Sequence, residues 1–400
     1  LAILLVSFGM FFFSKEYLLQ AKFYRGEYFT LGLFSVLGMF VMVSAHNLIT
    51  LYLGLEIMSL AIYTLVAMRK DHAAAIEAAL KYFVLGALAT GMLLYGFSML
   101  YGATGTITFD QMAHVIAQGQ VDEVVLSFAV VFVVIGLAFK LGAVPFHMWV
   151  PDVYHGAPTA VTLFIGTAPK IAAFAIFYRL LAEALPGAVS DWQPLLVILS
   201  VLSLIVGALV AIVQDNLKRL LAYSGIGHVG FLLLGLIAAN ADGYASAMVY
   251  TLVYAVMALA AFGMITLLAK SGDEFDRVAD FKGMNQRNPW MALMMLFIMF
   301  SMAGIPPFIG FYAKVVVIEE VVQAGFVWLA VLAVVSAVIS AFYYLRVVKV
   351  MYFDAPESHF KVAPMTLGLS LGMTVVAGAL LVLGIFPSMV IDLGYQSLGG

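Results

Sequence analysis

Residues 126–150 read LSFAVVFVVIGLAFKLGAVPFHMWV. An apolar run of this length crosses the ~30 Å hydrocarbon core of a bilayer as a helix, yet this one carries Lys140 and, just after it, Gly142 and Pro145. A charge at mid-bilayer costs roughly 2.5–3.5 kcal/mol on insertion scales, so a chain keeps one where it finds a partner or water. Proline removes a backbone donor and clashes with the preceding turn, so the segment breaks or kinks there and leaves polar backbone groups at membrane depth.

The same interruption, G-x-x-P-F, recurs as Gly304-Ile305-Pro306-Pro307-Phe308 inside a second apolar run, 290–323. Outward from these two, ten further apolar segments can be read: 1–13, 29–45, 48–68, 78–100, 159–182, 195–213, 218–239, 244–269, 327–350 and 364–391. The 400 residues are 64% hydrophobic and 10% charged, with mean hydropathy +1.08. A soluble domain is about half apolar and a quarter charged, so the expected class is an all-α, polytopic membrane helix bundle. The two breaks lie five segments apart, and an odd number of crossings reverses orientation. Two inverted five-helix repeats, each holding a broken helix, are therefore expected at 29–184 and 195–352, followed by a C-terminal transmembrane helix at 364–391. Paired broken helices in inverted repeats point to an ion site near the midplane; the plainer reading is a pair of packing kinks. Residues 1–28 read as the remnant of a truncated N-terminal region. Segment 1–13 is short for a span and starts at Leu1 without a charged leader, so it is not read as a signal peptide.

Numbering the loops alternately by side sorts the basic residues. Lys15, Lys22, Arg25, Arg69, Lys70, Lys81, Lys218, Arg219, Lys270, Arg277, Lys282, Arg287, Arg346, Lys349 and Lys361 fall on one side, and only Arg179 on the other. Short basic loops stay cytoplasmic. Lys140, Lys170 and Lys314, with Glu56, fall deep inside spans. The chain has no cysteine, which excludes disulfides, thiol catalysis and cysteine-ligated clusters on it. A net charge of −3 gives no reason to expect nucleic acid.

The run Phe139-Lys140-Leu141-Gly142-Ala143-Val144-Pro145-Phe146-His147-Met148-Trp149-Val150-Pro151-Asp152-Val153-Tyr154-His155-Gly156-Ala157-Pro158-Thr159 resembles the signature of the antiporter-like proton-channel subunits of respiratory complex I, in the N-type form. Pro169-Lys170, a lysine at 314, and the run Gln214 to Ser224 with His228 after it extend the resemblance over nearly the whole chain. The resemblance implies a fourteen-helix subunit of a bacterial NADH:quinone oxidoreductase whose first two helices are absent here. It implies that Glu56 and Lys140 form an input pair, Lys170 a central relay and Lys314 an output. It also implies an inner-membrane location, related antiporter-like subunits as lateral partners, a peripheral redox arm reached indirectly, lipid around the bundle, and FMN, iron–sulfur clusters and quinone held by partner subunits, with no cofactor or metal on this chain.

The residues also have local readings. Glu56 and Lys140 fit a switchable pair, in which docking favours the ammonium and separation lets burial disfavour it, or else a static ion pair that fixes packing. Lys170 follows Pro169, which loosens its helix; the alternative is a snorkelling lysine, against which its central position speaks. Lys314 lies about two turns past Pro307, within reach of the break or of a water-filled exit; Glu319 and Glu320, one to two turns further on, either stabilise its charged form or guide protons outward, or are ordinary end-of-helix charges. His228 is either a hydrogen-bonded core imidazole or a relay member, since its ordinary pKa is near neutral. His147, Asp152 and His155 lack the spacing and extra donors of a metal site. Glu77 and Lys81 are an i, i+4 helix pair. Gly225-Ile226-Gly227-His228-Val229-Gly230 matches a dinucleotide fingerprint only in letters, because it lies inside a span rather than after a strand. A subunit of a multi-subunit sodium/proton antiporter and a structural scaffold remain the rival functions.

Overall fold

The computed structural model describes residues 1–21, 24–269, 274–356 and 366–398; Lys22, Lys270 and Lys361 of the basic loops lie outside them. The described chain is helical, without a strand, and eleven of its helical stretches are long and apolar enough to cross a membrane. Four helices open the chain: α1 (Ala2–Gln20), α2 (Gly26–Val43), α3 (Leu48–Val66) and α4 (Ala73–Thr104), with the short α5 (Phe109–Ala117) after them. The first is longer than the expected 1–13. Its charged tail still turns a buried face inward through Phe13, Ser14, Tyr17 and Leu18, with Lys15 outward, so hydropathy alone truncates it.

The fifth expected segment is broken into α6 (Glu123–Leu141) and α7 (Trp149–Gly156), and the tenth into α14 (Pro289–Ala303) and α15 (Ile309–Gln323). Each first half ends on a glycine in the left-handed region, Gly142 at φ 76° and Gly304 at φ 82°, where a side chain is strained. The sixth segment is interrupted too. Pro169 stands in the first turn of α9 (Ala168–Tyr178), and α8 (Thr159–Ile165) stops before it, because proline has no N–H to give to Ile165 O. A π-helical turn, Arg179–Ala184, ends this stretch. The second half continues with α10 (Val189–Ile212), α11 (Leu217–Ile237), α12 (Ala241–Leu268) and the single-turn α13 (Met284–Arg287), and after α15 comes α16 (Val327–Phe353). The last expected segment is two helices rather than one, α17 (Leu367–Ile385) and α18 (Ser388–Leu398), parted at Phe386-Pro387, where the residue before the proline leaves the helical region.

Among the membrane-spanning stretches, α11 and α12 are the most buried. α12 packs against α1, α8, α9, α11, α14, α15, α17 and α18, which makes it the axis on which the two halves meet. Several local arrangements occur twice. Asn47 caps α3 by accepting from Thr50 N and bridges to Thr108, while Asn216 caps α11 by accepting from Arg219 N and bridges to Arg277. Arg179 donates to Ala45 O at 2.8 Å, and Arg346 donates to Gln214 O at 3.2 Å. Both carbonyls stand two residues before the capping asparagine.

Candidate functional site

The carbonyl at residue i of a helix accepts from the N–H at i+4. The partner due to Leu141 O is therefore Pro145, and the partners due to Met302 O and Ala303 O are Pro306 and Pro307, none of which has an N–H to give. In both breaks a lysine supplies the missing donor. Lys170 Nζ donates to Leu141 O at 2.5 Å, and Lys314 Nζ donates to Ala303 O at 2.9 Å and Met302 O at 3.2 Å. These carbonyls carry the negative end of a helix dipole, which favours a cation. Aromatic faces complete each pocket: Trp149 lies 5.7 Å from Lys170 Nζ and Phe231 lies 5.2 Å from Lys314 Nζ. At 5% and 6% exposure, neither lysine snorkels. The sequence sets Lys140 beside the first break, but it is Lys170, 29 residues beyond Leu141, that fills it.

Lys140 turns instead to α3. Its Nζ donates to Ser59 Oγ at 2.9 Å and to Tyr63 Oη at 3.3 Å. Glu56, Ser59 and Tyr63 are spaced i, i+3, i+7 on one helix face. Among the described residues no ion pair within 4.0 Å joins Glu56 to Lys140; the amine is held one to two turns along α3 from the carboxylate. Ser59 and Tyr63 escaped sequence reading; their spacing from Glu56 was the available signal.

His228 is clamped at both ring nitrogens, by Tyr250 Oη on Nδ1 at 2.7 Å and Tyr344 Oη on Nε2 at 3.1 Å, and Tyr344 is hydrogen-bonded in turn to Ser224. Phe231, whose ring lies under Lys314, stacks on Tyr250 at 6.0 Å. The second-half amine and the imidazole thus share one wall of aromatic and hydroxyl groups, reached from α11, α12, α15 and α16.

A polar cluster at the basic-loop end was not expected. Lys218, counted with the basic residues of one side, is 1% exposed and donates to Ala157 O at 3.2 Å. It lies 4.0 Å from Glu274 and 3.8 Å from Asp276. Its place in the first turn of α11, beneath the 274–276 loop, explains the burial. Glu274 accepts from Tyr17 Oη at 2.5 Å, from Arg69 at 3.0 Å and from the Thr159 hydroxyl. Burial pushes its carboxyl pKa up, but Lys218, Thr159, Tyr17 and Arg69 outweigh this and hold it below the usual carboxylate value. One carboxylate thus joins α1, the end of α3, the start of α8 and the start of α11. Beside it Asp152 takes Lys81 and Arg219, each at 2.8 Å, and Lys81 also pairs with Glu77 at 2.8 Å. Loops assigned to one side by their lysines and arginines therefore meet at one end of the molecule. No group of three histidine, aspartate or glutamate side chains that could hold a metal occurs among the described residues.

Residues 45–340 match the family described as NADH:quinone oxidoreductase/Mrp antiporter, TM. The chain is 76% identical over 398 residues to the NADH-quinone oxidoreductase subunit N of Hydrogenovibrio crunogenus, an alignment that covers 100% of this chain and 83% of that one. It is similar to a chain of respiratory complex I from Thermus thermophilus at 32% identity and TM-score 0.80, over 97% of this chain and 85% of the other. A chain of the Mrp complex from Dietzia sp. has the same fold, with TM-score 0.86 at 22% identity over 99% of this chain and 82% of that one.

Proposed function

The chain belongs to the NADH:quinone oxidoreductase/Mrp antiporter membrane family, and on that premise we propose that Glu56, Lys140, Lys170, His228 and Lys314 form one proton relay through its core. It is a proton-translocating, multi-pass membrane subunit of an NADH:quinone oxidoreductase. The observation that carries the relay is the matched seating of Lys170 and Lys314 on proline-orphaned carbonyls. An amine held by dipoles rather than by a carboxylate has no fixed counter-charge, so it can be charged or neutral without leaving a buried anion behind.

In this reading Lys140 takes up a proton when it moves toward Glu56 and passes it on when it sits, as here, on Ser59 and Tyr63. Lys170 receives it at the first break, and His228 with its tyrosines conducts it toward Lys314 at the second. Moving one charge against 100 mV takes about 2.3 kcal/mol. The energy comes from quinone reduction in partner subunits, which hold the FMN and iron–sulfur clusters; with no cysteine the chain offers no thiolate ligand for such a cluster. The lateral partners are related antiporter-like subunits, lipid surrounds the bundle, and the peripheral redox arm acts at a distance. The membrane is the bacterial inner membrane, with the Lys218–Glu274 end in the cytoplasm.

The repeated asparagine caps, arginine contacts and glycine-ended half-helices support two inverted units, 29–184 and 195–352, since the charge count sets Arg179 and Arg346 on opposite sides. Residues 1–28 and the C-terminal helices flank them. The rival reading, a sodium/proton antiporter subunit, draws on the family's shared description and on the common fold. Inverted membrane vesicles decide: with Lys140→Ala or Glu56→Ala, NADH-driven acidification falls while ferricyanide reduction is kept. Normal acidification in both variants would sink the relay, and gradient collapse on adding sodium would favour the antiporter.

A further inference from the structure

Glu320 stands six residues beyond Lys314 on α15, about 9 Å along the axis at 1.5 Å per residue. It is 5% exposed. Its Oε1 accepts from Tyr395 Oη on α18 at 3.4 Å, while its Oε2 is buried and has no hydrogen-bond partner. The ionisable groups that act on it are Asp242 in the first turn of α12, Tyr395 on α18 and Glu319 beside it; Lys314 lies back along the same helix, and α17 brings no ionisable side chain. Among the described residues no cation pairs with Glu320. A buried, unpaired carboxylate is costly and takes a proton instead, and two carboxylates that share a site do not both stay ionised. The location adds direction, because α15 runs from the second break toward the end that carries Arg179, away from the Lys218–Glu274 cluster.

We propose that Glu320, with Asp242 as its neighbouring carboxylate, is the group that takes the proton from Lys314 and releases it at the Arg179 end. The transfer balances as one proton: the Lys314 ammonium becomes an amine as the Glu320 carboxylate becomes a carboxylic acid, and the acid then gives the proton to water beside exposed Asp242. Tyr395 fixes Oε1 and leaves Oε2 as the atom that carries the proton. The inference rests on the relay reading and extends it by one residue beyond Lys314.

The test uses the assembled enzyme in inverted vesicles. Glu320→Gln is expected to lose most NADH-driven acidification and to lose one protonated-carboxyl band in the infrared difference spectrum, and Glu320→Asp to recover both. Lys314→Met is run alongside. If Lys314→Met is defective and Glu320→Gln acidifies normally with its infrared spectrum unchanged, this proposal is overturned and the relay stands. If Lys314→Met also acidifies normally, the relay itself fails. Should Glu320→Gln not assemble, Asp242→Asn, at an exposed position, decides: weakened acidification supports the proposal, and undiminished acidification overturns it.

Discussion

Lys170 Nζ lies 2.5 Å from Leu141 O, and that carbonyl has lost its helical partner because residue 145 is proline. Lys170→Met keeps the length and apolar stem of the side chain but removes the donor. Leaving a buried carbonyl unsatisfied costs about 1–3 kcal/mol. The expected outcome is an assembled enzyme with a lower melting temperature in detergent and little proton pumping. Full pumping at wild-type melting temperature would show that the contact serves neither purpose.

Tyr63 reaches Lys140 because α4 offers it a glycine. A Cβ built on Gly86 would lie 2.0 Å from Tyr63 Oη, so Gly86→Ala forces the ring aside and breaks its bond to the amine. Overpacking of this kind costs about 1–3 kcal/mol. Pumping is expected to fall in Gly86→Ala and to stay normal in Gly91→Ala on the same helix, where a Cβ meets nothing within 4 Å. Equal activities in the two variants would detach Tyr63 from the relay.

Glu274 makes a pH prediction. Its folded pKa is depressed, so its contribution to stability is fully present above the unfolded value, near 4.5, and is lost as pH falls through the folded value. Removing one member of a buried pair costs up to about 3–5 kcal/mol, and with a quarter of the side chain exposed about 2 kcal/mol is the reasonable scale for Glu274→Gln at neutral pH. Thermal unfolding of wild type and variant should differ at pH 7 and converge in acid. A gap that widened on acidification would contradict the assignment.

How much of this was legible beforehand depends on the range of the interaction. Pro145, Pro306 and Pro307 announce both breaks because their effect is local, and the buried positions of Lys170 and Lys314 follow from hydropathy. Their partners do not, since backbone carbonyls 29 residues away for Lys170 and 11 or 12 away for Lys314 leave no mark in side-chain pattern. The burial of Lys218 leaves no mark for the opposite reason: it begins a helix beside Arg219 in a polar run, and only the folding of Glu274 and Asp276 over it makes it interior. The Arg69–Glu274 contact spans 205 residues, and no periodicity encodes it. The expected Glu56–Lys140 contact was legible as proximity but not as the register that hands the amine to Ser59 and Tyr63.

Proline at 145, 306 and 307 also means that the regular i, i+4 main-chain bond can never form across either gap. A helix interrupted by an inserted side chain heals once that side chain withdraws, whereas these two berths stay open whatever state their occupant is in. Each amine can therefore come and go as a charged or a neutral visitor and find the same seat on its return.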